Sequence, residues 1–422
     1  MSEFFDVLET RAPEARERDL MAALPGAIAR AIARAPAIAN QLRGVDPASV
    51  TSREALARLP VLRKHELLER QQESRADAGA PAGPAKAFGG FSAIGWGEAL
   101  RVFASPGPIY EPESARSDYW RFARALYAAG FRPGELTYNC FSYHFTPAGS
   151  MMETAAHAVG CTVFPGGTGQ TEQQVRAIAD LAPSGYTGTP SFLKIILEKA
   201  DELGVKLDSL RRALVSGEAF PPSLREWLAA RGIDGYQAYG SADLGMIAFE
   251  TSAREGLVLG EDIIVEIVRP GTGEPVPDGE VGEVVVTTLN PDYPLVRFGT
   301  GDLSAVLPGV SPCGRTNTRI KGWMGRADQT TKVRGLFVHP SQVADVVRRH
   351  PEIRRARLVV SGSMGSDRMV LKVESDVRDA ALGQRIAESV RDVTKLRADI
   401  EWADDGALPN DGKVIDDVRS YD

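Results

Sequence analysis

Apolar and polar positions fall into three successive patterns along the chain. Residues 1 to about 75 read as mostly helical. The Ala-rich run from Arg18 to Leu42 has high helix propensity, and Pro60 separates it from a short charged helix near Lys64 to Glu69. Residues 76–90 are Ala, Gly and Pro with little else, which predicts a loop. From about residue 115 the pattern alternates between helix and strand periods. ARSDYWRFARALYAAG places Trp120, Ala123 and Tyr127 on one helical face, with Gly130 closing the helix. Strands are expected at LTYNCFS, CTVFP, GYTGTP, RRALVSG and GYQAYG. Helices are expected over 147–159, 172–181, 191–203 and 221–230. Such repetition predicts an α/β fold in which mostly parallel strands are flanked by helices.

After about residue 256, LVLGEDIIVEIV and GEVGEVVVTTL read as antiparallel strands joined by Gly/Pro/Asp turns, a β-rich module. Beyond Arg326 the order is strand, helix, strand, strand, helix, strand, a small α+β unit. The expected division is therefore a large domain over 1–325 and a small C-terminal α+β domain over 326–422.

A chain of 422 residues exceeds one ordinary core, which agrees with two domains. The net charge of -7, with acids and bases mixed, argues against a nucleic-acid surface. Cys140, Cys161 and Cys313 show no paired spacing, and the first twenty residues carry acids and no apolar core. No stretch is long and apolar enough to span a bilayer. These features predict a cytoplasmic protein without a membrane partner. Phosphate-loop, dinucleotide, zincin and nucleophile-elbow motifs are absent, and the five histidines lack metal-ligand spacing.

Signal resides instead in ordered segments: SGEAF at Ser216–Phe220, YQAYGSADLG at Tyr236–Gly245, PLVRFGTGDLSAVL at Pro294–Leu307, GRADQTTKVRGLFVHPSQV at Gly325–Val343, and NDGKVIDDVR at Asn410–Arg419. Read residue by residue, Asp302 follows a Gly-Thr-Gly turn, where a carboxylate either caps its own backbone or accepts from a ligand's hydroxyls. Tyr239 can stack on a base or pack in the core. Asp243 can ligate a hard cation or cap a turn.

Together these segments resemble the motifs of the adenylate-forming acyl-CoA synthetases, and within them the phenylacetate–CoA ligase branch. The branch also shows in LPVLRKHELL near residue 60 and in PCGRTNTRIKGWMGRAD. The resemblance implies that a carboxylic acid, aryl or arylacetic, is activated with ATP to an acyl-adenylate and then passed to coenzyme A. It implies that Ser216, Gly217, Glu218 and Ala219 line the adenine, with Tyr239, Gly240 and Ser241 beside them. Asp302 and Arg326 would contact the ribose, Asp243 would hold Mg²⁺, and Lys413 would reach the reacting carboxylate and α-phosphate. Asp328 would be the hinge of a mobile C-terminal domain. Tyr143, His144 and Phe145 in NCFSYHFTPAG are candidate walls for the acid, and a homodimer is implied as well. The Gly-rich stretch Pro165–Thr171 reads equally as a ligand loop or a plain turn.

One segment departs from the pattern. Where the family carries a Ser/Thr/Gly-rich phosphate loop ending near a Lys, this chain reads FASPGPIYEP, Phe103–Pro112. Prolines remove backbone donors and Glu111 adds negative charge, so this loop is expected to hold the outer phosphates poorly. Two other readings stand beside the first: transfer of the acyl group to a nucleophile other than CoA, or, because of this atypical loop, a non-catalytic nucleotide- or acyl-CoA-binding homologue.

Overall fold

A computed structural model of the protein describes residues 3–325, 327, 329, 331–333, 336–362, 367–409 and 413–419. The chain divides into two compact units. One comprises Met1–Val265, Val286–Phe298 and Leu307–Trp323; the other comprises Glu266–Val285, Gly299–Val306 and Met324–Asp422.

In the first unit five strands run parallel, in the order Thr162–Phe164, Leu136–Asn139, Gly185–Gly188, Arg212–Val215 and Asp234–Ser241. The sheet continues antiparallel through Gly245–Phe249, Leu257–Leu259 and Arg319–Ile320. Side chains alternate across it with the strand period of two. Leu214 joins one buried cluster, with the helices Ala123–Ala128 and Ala148–Val159, while Ala213 and Val215 join another, with Thr171–Leu181, Pro190–Leu203 and Pro222–Ala229. Parallel strands covered on both faces must be apolar or small throughout, and all four residues of Gly185–Gly188 are buried. Any side chain on Gly185 would run into the ring of Phe131.

Two local expectations are corrected. The long helix from residue 115 shrinks to Ala123–Ala128. Asp118 and Arg121 sit at positive φ, and the Asp118 carboxylate accepts from Ala123 N instead, at 3.1 Å. A polar side chain here outcompetes helical continuation. The segment Phe103–Pro112 is not a loop but most of a hairpin, Ala99–Ser105 paired antiparallel with Ile109–Ser114. Some of its backbone amides are committed beyond the hairpin: Ala104 N donates to Phe145 O at 2.7 Å and Tyr110 N to Gln71 Oε1 at 2.8 Å.

The second unit contains a four-stranded sheet in the order Asp399–Ala403, Arg368–Ser375, Ile353–Ser361, Ile415–Asp417. The two central strands are antiparallel, and each outer strand is parallel to its neighbour. Helices Pro340–Arg349 and Ala380–Thr394 share one apolar cluster with it. The C-terminal tail is tied into this sheet. Ile415 is buried, and the Gln329 side-chain oxygen accepts from Ile415 N at 2.8 Å.

Arg297, at the head of RFGTGDL, is buried in the first unit at positive φ. Its guanidinium donates to the carbonyls of Ala57 (2.7 Å) and Leu59, and its own carbonyl accepts from Leu62 N at 2.9 Å. This arginine fixes the segment that leads into the helix Lys64–Ala76. Arg297→Ala strands those carbonyls and is expected to lower unfolding stability by about 2–4 kcal/mol in urea titration. An unchanged midpoint would contradict this role.

Candidate active site

The sharp turn between Asp234–Ser241 and Gly245–Phe249 is built by its glycines. A side chain on Gly245, at φ +74°, would meet Trp120 O at 2.7 Å, and one on Gly240 would meet Gly245 O at 2.6 Å. The strand register slips between Tyr239 and Gly240. Ser241 Oγ accepts from Leu244 N at 3.2 Å, closing the turn over Asp243. Tyr239 is half-buried at the slip.

The Asp243 side chain is wholly buried, with 0% exposed. Its Oδ2 is 2.7 Å from Lys64 Nζ, and its Oδ1 has no hydrogen-bond partner. Lys64 opens the helix Lys64–Ala76, and its side chain is 38% exposed. A lysine in the first helical turn opposes the helix dipole and therefore favours an acid close by.

Glu111 is also buried, at 0% exposure. Ser105 Oγ donates to its Oε1 at 2.5 Å, and Ser105 N approaches Oε2 at 3.3 Å. Burial, reinforced by the charge of Asp243, pushes its carboxyl up to about 8, so it holds a proton at neutral pH. The expectation that Glu111 adds negative charge repelling phosphate is corrected: Glu111 is buried and neutral at that pH. The Tyr293 hydroxyl, buried and without a hydrogen-bond partner, feels both Glu111 and Asp243 and is pushed upward by its burial and by them. Sequence reasoning missed Lys64 and Tyr293 as site residues. The lysine at a helix start, opposite to dipole preference, was the available signal; nothing marked Tyr293.

In SGEAF, Ser216 Oγ donates to Ala238 O at 2.8 Å, linking two strand ends. Gly217 has φ +86°, and Glu218 and Ala219 are exposed. Glu218 Oε1 accepts from Ser191 N at 2.7 Å, at the start of Pro190–Leu203. Asn139 organises the neighbouring strand end. Its Nδ2 donates to Tyr143 Oη and to Gly149 O, both at 2.8 Å. Tyr143 is half-buried, His144 is exposed, and Phe145 is 80% exposed at φ +59°. Burial and Glu153 push the Tyr143 hydroxyl upward. In Pro165–Thr171, Gln174 Nε2 donates to Gly166 O at 2.9 Å and to Gly169 O at 3.2 Å, which pins a turn.

In the second unit Asp302 is half-buried on Phe298–Ser304, after Gly301 at φ +72°. Thr300 Oγ accepts from Asp302 N at 3.1 Å. The residues flanking Asp302 pair with the hinge motif: Leu303 N donates to Gly325 O at 2.8 Å and Ala327 N to Gly301 O at 2.7 Å. Arg326 and Asp328 lie outside the described residues. Lys413 Nζ is 3.1 Å from Asp416, and Lys413 lines a cavity of about 280 Å³ with Arg269, Val343, Arg355 and Leu408. Asp302 does not line that cavity, so the two residues are not brought together in it.

Residues 116–290 match the family of AMP-binding enzymes. Over 402 residues the chain is 31% identical to the phenylacetate–coenzyme A ligase of Thermus thermophilus, an alignment covering 87% of each chain. The chain belongs to the phenylacetate–coenzyme A ligase family. The ligase of Aromatoleum evansii is 29% identical over 85% of this chain and 81% of its own. The open form of 2-hydroxyisobutyryl-CoA ligase, solved with 2-HIB-AMP and CoA, shares the fold at TM-score 0.71. It is 24% identical, covering 97% of this chain and 92% of that one.

Family membership brings a divalent cation into question. Among the described residues no three His, Cys, Asp or Glu side chains converge for a metal. A cation at Asp243 would therefore draw further ligands from substrate oxygens and water, which suits Mg²⁺. The orphaned Oδ1 of Asp243 fits such a ligand.

Glu111 carries a pH signature. Unfolded, its carboxyl ionises near ~4.3; folded, it keeps its proton to about 8. The fold therefore loses stability as pH rises through that window, and the loss is complete above it. Glu111→Gln removes this dependence. Its melting temperature relative to the unmodified protein is expected to rise by about 2–4 °C between roughly pH 5 and pH 8.5. A constant difference across that range would refute the buried, protonated carboxyl.

Proposed function

We propose that this protein is an AMP-forming acid–CoA ligase that activates an aryl or arylacetic acid. The reading rests chiefly on the 31% identity to a phenylacetate–coenzyme A ligase over 87% of both chains. A carboxylate has no good leaving group. Attack on the α-phosphate of ATP converts it into an acyl-adenylate with AMP as leaving group, and the CoA thiol then displaces AMP. The protein's part is positioning and electrostatic stabilisation.

In this reading residues 1–325 form the nucleotide- and acid-binding domain, and residues 326–422 form a mobile domain that turns at Asp328 between the two half-reactions. The loop Ser216–Ala219 and Tyr239 to Ser241 receive the adenine. Asp302 accepts hydrogen bonds from the ribose hydroxyls, with Arg326 beside them. Tyr143, His144 and Phe145 meet the acid. Lys413 brings an ammonium to the carboxylate and α-phosphate during adenylation. Asp243 would hold Mg²⁺, which screens phosphate charge when bound. Lys64, paired to Asp243, supplies an ammonium, a group that the segment Phe103–Pro112 does not contain. No helix among the described residues is long and apolar enough to cross a membrane; we place the enzyme in the cytoplasm, as a homodimer.

The test is thioester formation. Purified protein with ATP, Mg²⁺, CoA and a panel of carboxylic acids is expected to give an acyl-CoA and AMP, with an aryl or arylacetic acid preferred. Lys413→Ala is expected to cut adenylation by about 10²-fold or more while leaving the melting temperature unchanged. Release of AMP without acyl-CoA would redirect the acyl group to another acceptor. No acid-dependent AMP from any acid would overturn the enzymatic reading.

A further inference from the structure

Of the three candidate walls for the acid, one is built differently from the others. His144 and Phe145 are exposed, Phe145 by 80%. Tyr143 is half-buried and gripped at two points. Its hydroxyl oxygen accepts from Asn139 Nδ2 at 2.8 Å. Its ring lies against Gly149, where an added Cβ would meet the ring's Cγ at 2.9 Å. A ring pinned at both ends keeps one orientation and has little freedom left to lose when a ligand packs on it.

Asn139 closes the strand Leu136–Asn139, at the C-terminal end of the parallel strands, where open α/β sheets bind ligands. It is 0% exposed, so it can act on a ligand only through another residue. All four hydrogen-bonding positions of its amide are used. Nδ2 donates to Tyr143 Oη and to Gly149 O, while Oδ1 accepts from Phe141 N at 3.2 Å and from Thr187 Oγ1 at 3.0 Å. Thr187 belongs to the neighbouring strand Gly185–Gly188, so the amide ties two strand ends to the loop that carries Tyr143. A buried polar network with every member satisfied is rigid. The segment it holds runs beside the loop Ser216–Ala219: a Cβ on Gly217 would lie 3.9 Å from the Phe141 ring.

We propose that Asn139 is a positioning residue for acid recognition, fixing the Tyr143 ring as the preformed wall on which the aryl group of the substrate packs. The proposal rests on the ligase reading for the presence of an acid beside the nucleotide, and it deepens that reading by assigning the aromatic ring to Tyr143 among the three candidates. An acid too small to reach the ring gains nothing from it. Asn139 therefore contributes to the choice of acid and not to adenylation itself.

The experiment measures, by isothermal titration calorimetry on the full-length protein, the affinity of two non-hydrolysable acyl-adenylate analogues, phenylacetyl-sulfamoyladenosine and acetyl-sulfamoyladenosine. The parent chain is expected to prefer the phenylacetyl compound. Tyr143→Phe severs the link to Asn139 but keeps the ring and the other three bonds of the Asn139 amide. It is expected to cut that preference about threefold to tenfold while leaving the affinity for the acetyl compound unchanged. Asn139→Ala is expected to cut it at least as far, and the double variant no further than Asn139→Ala alone. Tyr143→Phe decides alone if Asn139→Ala does not fold. Equal loss for both compounds would make the network purely structural and overturn the proposal. So would an unchanged preference in Tyr143→Phe, losses that multiply in the double variant, or a parent chain without the preference. Thioester formation by the unmodified protein separates the two readings. An active ligase whose preference ignores Tyr143→Phe sinks only this inference. A protein inactive on every acid, whose preference for the phenylacetyl compound depends on the Asn139–Tyr143 link, sinks only the ligase assignment.

Discussion

A buried carboxylate must be compensated, and in this protein the contact between Lys64 and Asp243 carries that burden. Asp243 is wholly removed from solvent in a turn that its glycines force to be tight. With one oxygen on Lys64 and the other unpaired, its charge depends on a single ammonium. Removing that partner strands a buried charge, at a cost on the order of 2–3 kcal/mol once the partial exposure of Lys64 is allowed for. Such an arrangement is poor as a stability device. Its unpartnered oxygen suits it to a further cation beside the ammonium.

Much of the surrounding structure serves to bring Lys64 there. Arg297 clamps Ala57 and Leu59, and its carbonyl holds Leu62. The helix then starts at Lys64 itself, with Arg63 N bonded to Glu66 Oε2 at 2.8 Å. An arginine in RFGTGDL is easily taken for a ligand contact. Here it reaches across more than two hundred residues to hold the backbone that aims the lysine. The hairpin Ala99–Ser114 meanwhile keeps Glu111 inside, so that burial and Asp243 hold it neutral.

The alternation of strand and helix periods between residues 115 and 240 was enough to read the parallel sheet, because strands buried on both faces leave continuous apolar runs. Three of the motif segments were legible because they sit on a strand end or a turn with a distinctive glycine: Gly217, Gly245 and Gly301 all have positive φ. The hairpin was not legible. Three prolines and a glycine within ten residues signal a loop, and only pairing with Ile109–Ser114 makes FAS a strand end. The short strand Ile415–Asp417 after Lys413 was not legible, because it depends on Leu358–Val360, more than fifty residues earlier. Lys64 and Asp243 are 179 residues apart. Neither period nor propensity registers a pairing at that separation.

The central claim is that Lys64 and Asp243 act as one unit during adenylation. It is tested most directly by a double-mutant cycle on acid-dependent ATP–pyrophosphate exchange, using Lys64→Met, Asp243→Asn and the double variant. If the pair is one unit, the double variant is no more impaired than the worse single variant, a coupling of about 10-fold or more, equivalent to about 1.4 kcal/mol. If the two losses simply multiply, the residues act independently and this account of the site is wrong.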